Sequence, residues 1–197
     1  MSVLIAQRPT IVDRFIPRSL SADIAFVFAG AALTAAAAQV TIPLWPVPVT
    51  GQTFAVLLVA ATLGSLRGAL SMALYAIAGF AGLPVFAGLK AGFEFGPTLG
   101  YIFGFIAAGA IVGFFSDRGW DKRWFGAALG LVLGNASIYA FGLPWLSIFL
   151  GVNNWPNDLL STAQAGLIPF LVGDAVKIAL AAALLPAAWR LVKNVKR

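Results

Sequence analysis

Two ionisable side chains lie three residues apart inside an otherwise apolar stretch near the end of the sequence. The segment PFLVGDAVKIALAAALL contains one acid, Asp174, and one base, Lys177. Residues at this spacing are neighbours on one face of a helix. They could form an ion pair that cancels its own charge, or they could line a polar cavity and bind a ligand. Charges inside membrane segments are costly and usually face a pathway or a ligand, so the sequence favours the second interpretation.

Further polar side chains occur in three short motifs. PVPVTGQT contains alternate prolines, which favour an extended backbone, together with Thr50 and Gln52. FGPTLGY begins a helix at its proline and brings Tyr101 into the membrane. NASIY places Asn135 and Tyr139 on one helix face. Each motif alone is equally consistent with a turn, a helix cap or a hydrogen bond between helices.

Recognised catalytic and metal-binding patterns are missing from the sequence. There is no cysteine and no histidine, which excludes disulfides, thiolate chemistry and the usual general base. We find no serine–base pair, metal-ligand cluster or GxxxxGK[ST] phosphate-binding loop. We therefore expect a protein that is not an enzyme, needs no cofactor or metal, and does not hydrolyse ATP itself.

The elements that position these residues are predicted to be membrane helices. The chain has 197 residues, of which 60% are hydrophobic and 10% are charged, against about 25% charged in an average soluble domain. The apolar runs are rich in alanine, leucine and glycine and do not alternate as barrel strands would, so an all-α integral membrane protein is predicted. The six predicted spans are Ser21–Thr41, Gly51–Leu66, Gly68–Val85, Pro97–Phe115, Trp124–Leu143 and Ile168–Trp189.

Basic residues predict the orientation of a single membrane domain, residues 1–197. Its expected parts are a cytoplasmic segment (1–20), a six-helix bundle (21–189) and a basic cytoplasmic tail (190–197). With both termini inside, eleven of the 13 lysines and arginines are cytoplasmic, as the positive-inside rule requires. The eleven are Arg8, Arg14, Arg18, Arg67, Arg118, Lys122, Arg123, Arg190, Lys193, Lys196 and Arg197; the two others are Lys90 and Lys177. The polar motifs then collect at the outer face, where we expect the binding site.

The first predicted span carries alanines at four-residue spacing. Ala25 and Ala29, then Ala32 and Ala36, form a face of small residues that permits very close helix approach. Composition alone leaves open whether the partner is another helix of this chain or another protein.

Taken in order, the motifs PLWPVPVTGQT, GLPVFAG, FGPTLGYIFGF, IYAFGLPWL and PFLVGDAVK resemble the BioY family over nearly the whole chain. These proteins are biotin-specific S components of energy-coupling-factor (ECF) transporters. The resemblance implies a six-helix S-component bundle in the cytoplasmic membrane of a bacterium or archaeon, with high-affinity biotin binding outside and ATP-driven uptake. It also implies a membrane scaffold (T) subunit and two cytoplasmic ATPase subunits as partners, and an S component that topples in the membrane.

The resemblance carries roles to particular residues. The intact GD-x-x-K motif assigns biotin contacts to Asp174 and Lys177. Further candidate contacts are Thr50, Gln52, Tyr101, Tyr139 and Asn135, while Ala25, Ala29, Ala32 and Ala36 are the candidate surface for the scaffold subunit. An acid can accept from the ureido N–H groups of biotin, and a base can donate to its carbonyl or carboxylate. The candidates to cover its apolar ring are Trp45, Phe86, and either Phe93 or Tyr101.

Three alternatives remain open at the level of sequence. An S component for another vitamin would share the fold. A self-sufficient secondary transporter would use Asp174 as its proton or ion carrier. A structural membrane protein would use Asp174 and Lys177 as a packing pair and would have no affinity for a vitamin.

Overall fold

The computed structural model of the chain describes residues 9–93 and 95–195, the last three without their side chains. Of the residues used to predict the orientation, Arg8, Lys196 and Arg197 lie outside the described residues, as does the side chain of Lys193.

The described residues contain seven α-helices, and six of these correspond to the six predicted spans, so the predicted all-α membrane fold is confirmed. They are α1 (Leu20–Ala38), α2 (Gln52–Leu63), α3 (Ser65–Phe80), α4 (Leu99–Asp117), α5 (Trp124–Val152), α6 (Leu159–Gly166) and α7 (Leu171–Val195). Four stretches are long and apolar enough to cross a membrane: Leu20–Ala38, Leu99–Asp117, Trp124–Val152 and Leu159–Val192. The helices α2 and α3 are shorter, with 12 and 16 residues.

The fifth helix and the segment after it differ from the prediction. We expected the span to end at Leu143, but α5 runs through Pro144 and has 29 residues. Membrane helices tolerate proline where neighbouring groups satisfy the freed backbone. The segment that follows contains the short helix α6, whose first backbone N–H groups donate to Asp158 at 3.0 and 3.1 Å. Hydrogen bonds, chiefly from the Ser161 hydroxyl, lower the pKa of Asp158.

Small residues hold the centre of the bundle together. Helix α4 packs against α2, α3 and α5. A Cβ added at Gly109 would lie 2.9 Å from the backbone of Gly68, and one at Gly113 would lie 2.3 Å from the Cα of Ser65. Such distances leave no room for a side chain, so α3 and α4 are in direct backbone contact along this edge.

A β-hairpin covers one end of the bundle. Strand β1 (Thr41–Ile42) pairs antiparallel with β2 (Val49–Thr50), with Thr41 opposite Thr50. The predicted first span extended to Thr41, but α1 ends at Ala38 and the chain turns into this hairpin. The Trp45–Pro46 peptide bond in its loop is cis. Both the start of α7 and the start of α2 lie at this hairpin end.

A buried arginine closes the opposite end. Arg67 donates to Asp13 at 2.8 Å, to Asp23 at 3.1 Å and to the Thr10 hydroxyl at 3.0 Å. These contacts tie the segment before α1, and α1 itself, to the start of α3. Although burial opposes the charged form, hydrogen bonds from Arg18, Thr10 and Arg67 outweigh it and hold the pKa of Asp13 well below its usual range.

Candidate functional site

A cavity of about 360 Å³ lies under the β-hairpin. Its walls come from the hairpin, the first turn of α2, the α3–α4 link, the first turns of α4 and α7, and the middle of α5. Most of the lining is apolar, with a small set of polar side chains. This is the usual form of a small-ligand site, and the volume falls in the usual range of about 300–1,000 Å³.

The ion pair predicted from sequence lines this cavity. Lys177 Nζ lies 3.3 Å from Asp174 Oδ1, one helical turn away on α7. Lys177 Nζ also donates to the Thr50 carbonyl at 3.0 Å and to the Thr53 hydroxyl at 2.9 Å. An ammonium has three hydrogens, so all three are engaged. Lys177 therefore fastens α7 to the hairpin and to the start of α2.

Asp174 collects donors from the neighbouring helix. Its residue is 4% exposed, and its Oδ2 accepts from Asn135 Nδ2 at 3.1 Å and from the Tyr139 hydroxyl. Asn135 and Tyr139 are four residues apart on α5, which places both on the face that meets α7. The ion pair is therefore part of a network that joins α5, α7 and the hairpin, and is not a self-contained pair.

A second hydrogen-bonded chain supports the hairpin. The Thr50 hydroxyl donates to Gln52 Oε1 at 2.9 Å, and Gln52 Nε2 donates to the Tyr75 hydroxyl. Tyr75 in turn donates to the Val85 carbonyl at 3.2 Å. Tyr75 is 1% exposed on α3, so this chain fixes the Gln52 carboxamide against the bundle and links the hairpin to the α3–α4 link.

Aromatic rings form much of the apolar wall. Phe86 fits against Gly79, where an added Cβ would lie 2.1 Å from its ring. The Tyr101 hydroxyl donates to the Gly166 carbonyl at 2.8 Å, and its ring meets Tyr139 edge-on with centroids 6.2 Å apart. Trp45 lines the cavity from the hairpin and is 70% exposed, so the cavity is open to solvent beside this ring.

The structure brings together most of the residues predicted from sequence. The candidates that line the cavity are Thr50, Gln52, Tyr101, Tyr139, Asp174 and Lys177, together with the ring candidates Trp45 and Phe86. Asn135 lies behind the cavity wall and reaches it through Asp174. Phe93 is 66% exposed, packs on Phe80 and is not part of the lining.

Four polar residues of the cavity lining were not predicted as contacts from the sequence: Thr41, Thr53, Lys90 and Thr98. Thr53 was not singled out, although it lies within the quoted PVPVTGQT motif and one helical turn after Thr50. Lys90 was counted only as an external charge, yet it lines the cavity and is exposed. Among the residues that the structure describes, no group of three or more Asp, Glu, His or Cys side chains is arranged to hold a metal ion.

The alanine face of α1 points away from the bundle. Ala25, Ala29, Ala32 and Ala36 are all exposed. The opposite face, which includes Gly30 and Thr34, is buried; a Cβ at Gly30 would lie 2.5 Å from the Ser71 hydroxyl of α3. The alanines are therefore not used for packing within this chain, which leaves them available to a partner or to lipid.

Comparisons with known proteins agree on one family. The model of the BioY family matches residues 9–194. The chain is 38% identical to the biotin transporter BioY of Thermotoga maritima, over 77% of this chain and 86% of that protein. It is also 38% identical to the probable biotin transporter BioY of Pyrococcus horikoshii, over 81% of this chain and 91% of that protein. The fold resembles the crystal structure of the S-component for biotin from an ECF-type ABC transporter, with a TM-score of 0.73 and 23% identity over 86% of this chain and 92% of that one.

Proposed function

Since this chain belongs to the BioY family, we propose that it is the biotin-binding subunit of an ATP-driven ECF transporter. The observation that supports this most directly is the closed network around Asp174 and Lys177 in the wall of the cavity. It offers a carboxylate acceptor beside a cationic donor in a mostly apolar pocket. These are the groups that a cyclic urea needs, because a urea carries two N–H donors next to one carbonyl acceptor.

We propose that the ureido ring lies against α7. Among the described residues Asp174 Oδ1 accepts one hydrogen bond, from Lys177, and a carboxylate oxygen can accept two. It therefore has capacity for a ureido N–H. All three N–H donors of Lys177 are already engaged, so the ligand carbonyl has to replace its hydrogen bond to Thr50 or to Thr53. Binding would then alter how the hairpin is held.

The carboxylate end of biotin would lie toward the open side of the cavity. Lys90 contributes the second cation of the lining and is exposed. In this orientation the ureido ring lies at Asp174 and Lys177, and the carboxylate at the end of the side chain of biotin lies near Lys90. The apolar sulfur-containing ring then packs against Phe86 and its neighbours.

We propose that both termini are cytoplasmic and that the protein spans the cytoplasmic membrane of a bacterium or archaeon as one domain. The described basic side chains support this orientation, since seven lie at the end opposite the cavity: Arg14, Arg18, Arg67, Arg118, Lys122, Arg123 and Arg190. A cysteine introduced at position 120 should react with an impermeant reagent only after the cells are opened. Labelling in intact cells would overturn the orientation.

The exposed alanine face of α1 is the proposed surface for the scaffold subunit, which would connect this chain to two ATPase subunits. Small side chains support the proposal because they permit backbone contact between helices of different chains. The chain would supply recognition of the vitamin, and the ATPases would supply the energy.

Equilibrium binding of radiolabelled biotin to the purified protein tests the proposal. We expect one saturable site. Unlabelled biotin should displace the radiolabelled biotin from it, whereas thiamine and riboflavin should not. Asp174→Asn should weaken binding strongly, whereas Asp158→Asn, on an exposed residue outside the cavity, should not. Absence of saturable biotin binding by well-folded protein would refute the function, and competition by thiamine or riboflavin would assign the site to another vitamin. If liposomes with this chain alone accumulate biotin along a proton gradient, it is instead a secondary carrier.

A further inference from the structure

Three arginines form an open basic surface at the end of the bundle opposite the cavity. Arg118 and Arg123 flank the link between α4 and α5, and Arg190 lies near the end of α7. All three are exposed, and within the described part of the chain none of them has an acidic partner. The surface is continuous across the two elements, because Trp189 of α7 donates to Asp121 of the link at 2.6 Å.

Three of the four described acids at this end, Asp13, Asp117 and Asp121, have buried side chains. Asp117 is 7% exposed and accepts from the backbone N–H of Ser65 at 3.1 Å and from its hydroxyl. Asp121 is 3% exposed, and burial raises its pKa to about 6. Asp13 and Asp23 form ion pairs with Arg67, and of these two acids only Asp23 is exposed, with a side chain 42% accessible. Negative charge is thereby withdrawn from the surface of the α4–α5 link, and the positive charge of its arginines remains.

Exposed aromatic side chains alternate with these arginines. Trp120 is 46% exposed and Trp124 is 63% exposed, and both are types enriched where membrane meets water. Phe125, the next residue, is 73% exposed. The Arg118 guanidinium lies 3.2 Å above the ring of Phe114, which is itself 46% exposed. The arginines therefore lie directly beside exposed aromatic side chains.

We propose that the α4–α5 link binds the phosphate head groups of anionic phospholipids, with Arg118 and Arg123 as the principal contacts and Trp120 and Trp124 at the level of the head groups. A planar guanidinium matches the geometry of two phosphate oxygens. The neighbouring phenylalanines favour a lipid over a soluble anion or a polar protein surface, because a lipid supplies acyl chains for them as well as a phosphate. The site is independent of biotin binding.

Native mass spectrometry of the purified protein tests the proposal. The protein is equilibrated in micelles containing equal amounts of phosphatidylglycerol and phosphatidylcholine, and the retained lipids are counted. We expect the wild-type protein to retain phosphatidylglycerol preferentially. Neutralising a basic residue near an anionic surface weakens attraction by roughly fivefold, so the pair Arg118→Gln and Arg123→Gln should reduce the preference by about thirtyfold. Lys90→Gln, which removes a positive charge at the opposite end, should leave the preference unchanged.

Three results would overturn the proposal. The wild-type protein could retain both lipids equally, the double variant could keep the preference, or Lys90→Gln could abolish it to the same extent. A double variant that keeps the lipid preference but no longer co-purifies with the other subunits would assign the surface to a protein partner. If the double variant does not fold, the single change Arg118→Gln should still weaken retention by roughly fivefold, and Arg118→Lys should keep most of it.

Discussion

A double mutant of Asp174 and Lys177 distinguishes a ligand-binding role of this ion pair from a purely structural one. Asp174→Asn leaves the Lys177 ammonium facing an amide, and Lys177→Met leaves a carboxylate that is 4% exposed with only its α5 donors. Removing one partner of a buried pair costs about 3–5 kcal/mol, so each single change should lower stability. The double change removes both charges and should recover much of that loss.

Biotin affinity should not recover with stability. If Asp174 and Lys177 each make a charge-assisted bond to the ligand, at about 1.5–3 kcal/mol per bond, the double mutant loses about 3–6 kcal/mol of binding free energy. That corresponds to a dissociation constant raised by roughly 10²- to 10⁴-fold. Thermal unfolding and equilibrium binding are measured on the same detergent samples, so that misfolding and lost contacts are distinguished.

The bonds from Lys177 to the hairpin and to the start of α2 need their own control. Thr53→Val removes the hydroxyl that accepts at 2.9 Å and keeps the shape and both charges. Because water can reach this partly exposed bond, its loss should weaken biotin binding by no more than about tenfold. A well-folded double mutant with near wild-type affinity would refute the ligand assignment, and the pair would then be structural.

Three further predictions concern other parts of the molecule. Ala36→Trp places a large ring on the exposed face of α1 and should abolish co-purification with the scaffold subunit without changing biotin affinity. The control Ala183→Trp, on the exposed face of α7, should leave both co-purification and biotin affinity unchanged. Loss of biotin binding in Ala36→Trp would contradict the assignment. Gly79→Ala should displace the Phe86 ring, which an added Cβ would approach to 2.1 Å, and should weaken biotin binding at least about tenfold in equilibrium binding; unchanged affinity would exclude Phe86 from the site. Burial raises the pKa of Asp121 from its ordinary value of 3.8 to about 6 in the folded protein, so the free energy of unfolding should rise by up to about 3 kcal/mol as the pH falls from 7 to 4. Asp121→Asn should remove this dependence of stability on pH in thermal unfolding. A variant that keeps the dependence would assign the titration to another group.

Local sequence patterns predicted those parts of the candidate site in which both residues belong to the same helix. The GD-x-x-K spacing was enough to predict that Asp174 and Lys177 are neighbours, and NASIY that Asn135 and Tyr139 share a face. The contact from Lys177 to Thr53 joins residues 124 positions apart. Residue spacing cannot predict this contact, because it depends on how the helices pack together. Sequence therefore identified the polar pair and its α5 donors, but not its attachment to the hairpin and to the start of α2.

Element boundaries were least predictable where a local rule competed with the membrane environment. Proline normally ends a helix in water, which is why Pro144 was predicted to end the fifth span. The cost of an unpaired backbone group in a bilayer keeps the chain helical instead, and α5 continues for eight residues after this proline. The short strand β1 was missed for a related reason, since an apolar run that leads into a hairpin has the same composition as the end of a membrane helix.

The brevity of α2 sets the distance between the two polar ends of the bundle. Its 12 residues rise by about 18 Å, whereas the hydrocarbon core of a bilayer is about 30 Å thick. Gln52, at its first turn, borders the cavity, and Leu63, at its last, precedes the link closed by Arg67. A helix of this length cannot cross a flat hydrocarbon core by itself. The polar cavity at one end of α2 and the buried arginine at the other are therefore closer together than the two surfaces of that core.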